Sequence, residues 1–117
     1  MLSNSDKQTS NWDRAMTDVS YARNLFREAF SERRHGSVKA AIYAGYRFVS
    51  RKVAKQFTER RARSIWEGAA RRIDSEEMDA LRLALIEESK REQAELRSRL
   101  AALDALLAAH DQKPAGA

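Results

Sequence analysis

Arginine carries most of the chemistry that residue type and spacing suggest in this chain. Its guanidinium is a planar fork of donors that meets phosphate, or the edge of guanine, in bidentate fashion. Five arginines fall in the eighteen residues FTERRARSIWEGAARRID, 57–74, around Ile65 and Trp66. They are either the solvated back of a core helix or the face of a helix that grips something acidic.

The surrounding charge favours the second reading. Residues 33–73 hold twelve basic side chains against Glu59 and Glu67, whereas the flanks are mildly acidic, −1 over 1–32 and −4 over 74–117. The net charge of +5 over 117 residues hides this contrast. Two acids inside the segment cannot neutralise twelve bases, so a polyanion partner is expected.

Other chemistry finds little support. His35 and His110 are far apart in sequence, and neither has a carboxylate at metal-ligand spacing. Glu76-Glu77 suits helix capping and Glu87-Glu88 a solvated helix face. Neither pair offers the two differently tuned environments that acid–base catalysis uses. No glycine loop cradles phosphate and no nucleophile motif occurs. The chain has no cysteine, which excludes disulfides and thiolate chemistry. The expectation is a protein that is not an enzyme and has no cofactor and no metal.

The N-terminus, MLSNSDKQTS, lacks the apolar core of a signal peptide. No apolar run nears the roughly 20 residues that span a bilayer. A soluble cytoplasmic protein without a membrane partner is expected, nucleoid-associated if it binds DNA.

The elements that must position the arginines are helical. Alanine, leucine, arginine and glutamate dominate, with one proline and four glycines. No alternating apolar and polar run reads as a strand. The expected fold is all-α, with four or five helices, a helix-turn-helix-like core and a long C-terminal helix. Residues 1–10 are expected to be a disordered N-terminus, 11–74 a basic helical domain, 75–110 a long dimerisation helix and 111–117 a disordered tail. Ser10 or Asn11 can cap a first helix through 31, with Trp12, Met16, Val19, Phe26 and Phe30 on its apolar side. ERRHG interrupts the pattern, and Gly36 is the expected stop. Ser37 can cap a helix from Val38, whose apolar stripe extends to Phe57 either as one helix or as two with a bend near Ser50. Gly45 lies inside it at a cost of about 1 kcal/mol relative to alanine.

Thr58 is the expected N-cap of a helix over 59–73, in which Ala62, Ile65, Trp66, Ala69, Ala70 and Ile73 share one side. Trp66 is then a core anchor, and Arg60, Arg63, Ser64, Glu67 and Arg71 point away from it. Arg63, Glu67 and Arg71 also make an i, i+4, i+8 ladder, which by itself is an ordinary solvated face. The last helix opens on a capping-box signature, either Asp74 with Glu77 or Ser75 with Met78, one position off the box.

Helix, turn at Thr58, helix is the order that presents a helix to the major groove. Residues 37–73 resemble a helix-turn-helix DNA-binding protein at the level of pattern. VKAAIYAGYRFVSRKVAKQF stands as support and ERRARSIWEGAARRI as recognition helix. The match departs from the pattern: in one alignment Thr58 stands where a glycine is usual, in another Arg51 stands where an apolar residue is expected. The resemblance implies base contacts from Arg60, Arg63, Ser64 and Glu67. It implies phosphate contacts from Arg51, Lys52, Lys55, Thr58, Arg61, Arg71 and Arg72. Tyr43, Tyr46 and Phe48 lie among these bases, with core packing the expected role of Tyr46.

The last helix has two apolar groups, Met78, Leu81 and Leu85, then Leu96, Leu100, Leu103 and Leu107, separated by the polar stretch EESKREQAE. The second group is covered either by the same helix of another chain, giving a homodimer, or by Trp12, Phe26 and Phe30 of the first helix. A small dimeric transcriptional regulator on double-stranded DNA is the function expected. Charge alone does not separate DNA from RNA. The alternatives are a module that binds an acidic protein and a phage or plasmid DNA packaging or partition accessory protein.

Overall fold

The computed structural model describes residues 11–112, with side chains from residue 18 onward. Expectations for residues 1–10 and 113–117, and for the side chains of Trp12 and Met16, lie outside the described residues. The fold is all-α: α1 Asn11–Ala29, α2 Glu32–His35, α3 Val38–Lys52, α4 Glu59–Glu67 and α5 Ser75–Asp111, with no strand among the described residues.

Caps written into the sequence set most of the boundaries. Ser31 Oγ accepts from the Arg34 N–H at 3.2 Å, and Gly36, at φ 93°, closes α2 by donating to the Glu32 carbonyl. Ser37 Oγ accepts from the Ala40 N–H at 3.0 Å and starts α3. Thr58 Oγ1 accepts from the Arg61 N–H at 3.1 Å and starts α4. Each satisfies a donor that the first turn would otherwise leave without a partner.

Two expected boundaries are corrected. The segment 38–57 is neither one helix nor two, because α3 stops at Lys52 and Val53 turns extended, φ −97° and ψ 148°. Val53 and Phe57 are both buried, so the link between them is pinned to the core at each end. The link, residues 53–58, is longer than the turn of about 3–4 residues usual in a helix-turn-helix. The helix expected over 59–73 ends at Glu67. Gly68 takes the left-handed conformation at φ 73°, its N–H donating to the Ile65 carbonyl and that of Ala69 to the Ser64 carbonyl. These two bonds form a Schellman close. Ala70 and Ile73 still pack on the core, which is why the apolar spacing looked helical through Ile73.

One core joins α1, α3, α4 and the first turns of α5. Phe26 is its centre, fully buried, edge-on to Trp66 at 5.6 Å and to Phe30 at 5.7 Å. Its ring lies against Gly45, where a Cβ would come within 2.3 Å of it. The absent side chain is what lets α3 approach α1. Met78, Ala80, Leu81 and Ala84 complete this core, so the compact unit runs to Ile86 rather than ending at residue 74. Residues from Glu87 onward form a second unit.

Candidate nucleic-acid interface

α4 separates its residues by face. Ala62, Ile65 and Trp66 are buried, and Arg60, Arg63 and Glu67 are exposed, with Ser64 half-buried between them. These four recur at i, i+3, i+4 and i+7, so they share one outward strip. Trp66 is a core anchor, and Arg27 holds it from outside. The Arg27 guanidinium donates to the Trp66 carbonyl from Nε at 3.0 Å and Nη2 at 2.7 Å, and lies 5.1 Å from the indole centre. A cation on the last carbonyls of a helix is favoured by the helix dipole.

Arg61 and Lys55, expected to hold phosphate, are engaged within the protein. Glu77 is completely buried, and Arg61 grips it with Nε at 2.9 Å and Nη2 at 2.8 Å. The same Nη2 donates to the Arg72 carbonyl at 2.7 Å. Lys55 pairs with Asp74 and reaches Glu77 at 3.2 Å. The Asp74 N–H donates to Glu77 Oε1 at 3.0 Å, the back-reaching half of the capping box. Burial alone would push the Glu77 carboxyl up. The Arg61 bonds, the Asp74 N–H and Lys55 outweigh it and hold Glu77 below its ordinary value. The hydrogen bond to Asp74 leads the causes that raise Lys55, against its desolvation. Glu76 extends this lock, accepting from the Ala54 N–H at 2.8 Å and so fixing the 53–58 link to α5. The local acids of 33–73 are thus not the whole balance, because two acids just beyond the segment fold back onto two of its bases. The capping-box spacing was the one sign of this in the sequence.

The other expected contacts are placed as follows. Arg51 and Lys52 are exposed near the end of α3, Arg51 donating to the Arg47 carbonyl and Lys52 lying 5.4 Å from the Phe48 ring. Arg71 and Arg72 are exposed but belong to the loop after α4, so the helical ladder of Arg63, Glu67 and Arg71 does not form. Thr58 caps α4. Tyr46 packs on the core and Tyr43 is exposed beside it, in an open groove with Lys39 and Glu59. Among the described residues, Lys39, Arg47, Arg60, Arg63, Arg71 and Arg72 have no ion-pair partner.

In the second unit, Leu96, Leu100, Leu103 and Leu107 are 43–64% exposed, and Leu106 is 65% exposed. Phe26 and Phe30 are buried in the core of the first unit, and the side chain of Trp12 lies outside the described residues. No described helix is long and apolar enough to cross a membrane. Comparison with protein-family models, curated proteins and solved structures returns no match for this chain.

Proposed function

We propose that the protein binds double-stranded DNA through the outward strip of α4, as a small sequence-recognising regulator. The observation that carries this reading is the surplus of exposed cations. Even after Lys55 and Arg61 are engaged by Asp74 and Glu77, the exposed bases of α3, α4 and the loop after it outnumber the acids among them. Arg60, Arg63, Ser64 and Glu67 are the side chains that face base edges in this reading. Arg51, Lys52, Arg71 and Arg72 meet phosphates. Arg61 and Lys55 take a different part: they hold α4 and the 53–58 link against the start of α5, so that the strip is rigid before it meets its partner.

Binding to labelled random-sequence duplex DNA, followed by anisotropy across a salt series, tests this. The expected result is a log–log slope of about −0.9 per phosphate contact. Arg71→Ala with Arg72→Ala should weaken binding and flatten the slope, Arg60→Ala with Arg63→Ala should weaken it without changing the slope, and unlabelled unrelated DNA should compete. No binding at low salt would sink the DNA reading and move the search to an acidic protein partner.

A further inference from the structure

The leucines of the second unit have an arrangement that fits one occupant, the same helix of a second copy. Leu96, Leu100, Leu103 and Leu107 step by four, three and four residues, which is the heptad seam of a coiled coil, with Leu100 and Leu107 at a and Leu96 and Leu103 at d. All four are exposed on a continuous helix that runs to Asp111. Counting outward from them, Lys90, Arg97, Asp104 and Asp111 flank one side of the seam, and Glu92, Arg99 and Leu106 the other.

These flanking charges are self-complementary. With two parallel chains in register, a g residue meets the e residue five places on in the partner. Glu92 then meets Arg97 of the second copy, and Arg99 meets its Asp104. With two antiparallel chains centred on Leu100 against Leu103, Arg97 meets Asp104 of the second copy and Lys90 meets its Asp111. Neither direction brings like charges together. The ion pairs that the helix makes within this unit join Arg91 to Glu88 and Glu95, on the side away from the seam. Lys90, Glu92, Arg97, Arg99 and Asp104 have no ion-pair partner among the described residues. An acidic or basic foreign partner would oppose only one sign of this mixed set, whereas a second copy pairs both signs, parallel chains through Glu92, Arg97, Arg99 and Asp104 and antiparallel chains through Lys90, Arg97, Asp104 and Asp111.

We infer that residues 89–110 form a homodimeric coiled-coil seam. This stands independently of nucleic-acid binding, since the residues involved are separate from the basic strip of α4. Sedimentation equilibrium of the full chain over a concentration series is expected to show a monomer–dimer equilibrium. Leu100→Glu with Leu103→Glu should leave a monomer whose helical circular dichroism still melts cooperatively, because neither side chain enters the core of the first unit. Arg97→Glu places like charges together in both directions and should weaken the dimer about tenfold. Adding Asp104→Arg separates the directions. Recovery of the dimer means antiparallel chains, further loss means parallel chains, and either keeps the second copy as occupant. A mass of one chain at every concentration, or an assembly larger than two, overturns the inference.

Discussion

Replacing Gly45 by alanine sets two physical arguments against each other. In an exposed helix interior the change should stabilise by about 1 kcal/mol, because glycine loses more backbone entropy on folding. Here the new Cβ would stand 2.3 Å from both Cε1 and Cζ of Phe26, where ordinary contact begins at 3.4 Å. The ring must therefore withdraw by about an ångström in a core packed at crystal-like density. It has no easy route, since Phe26 is fully buried and held edge-on by Phe30 and Trp66. Overpacking of this kind costs about 1–3 kcal/mol, and a clash this close belongs at the upper end. The net expectation is a loss of about 2 kcal/mol, or about 10 °C in Tm for a domain of this size. Urea and thermal melts followed at 222 nm measure it. Phe26→Leu is destabilising by itself, but the double variant Phe26→Leu with Gly45→Ala should lose less than the sum of the two, because the smaller side chain frees the space. A Gly45→Ala variant as stable as the parent, or more so, would refute the claim that α1 and α3 approach through this notch.

The buried carboxylate yields two further expectations. Arg61→Ala leaves Glu77 buried with Lys55 as its remaining charged partner, and should cost about 3 kcal/mol in urea melts. Glu77 titrates below its ordinary value in the folded chain, so its stabilisation is present above pH of about 4.3 and is lost as pH falls through the folded value. Glu77→Gln should flatten that acid limb, and a limb of unchanged steepness in melts from neutral to acid pH would count against the assignment. Thr58→Ala removes the cap of α4 and should cost about 1 kcal/mol, read from the same melts.

What the sequence determined by itself was local. The helical class follows from composition. Ser37, Thr58, Gly36 and Asp74 with Glu77 mark helix ends because a cap acts within four residues of its own position. The core face of α4 is legible from the spacing of Ala62, Ile65 and Trp66, and so is the heptad spacing of Leu96, Leu100, Leu103 and Leu107. Tertiary structure decided what depends on distant partners. Periodicity through Ile73 looked helical because Ala70 and Ile73 are apolar for the sake of the core, although Gly68 had already closed the helix. Phe57 looked like the end of a helical stripe for the same reason. Gly45 appeared as a local weakness until Phe26, nineteen residues earlier, filled its place. Arg61 and Lys55 could not be told from their exposed neighbours, because a guanidinium or ammonium is assigned by whichever anion the fold brings to it. Glu77 lies sixteen residues beyond Arg61 and becomes its partner only when the start of α5 packs against α4. Side-chain charge can be counted along a chain, but whether it is spent inside or left for a partner is a matter of geometry.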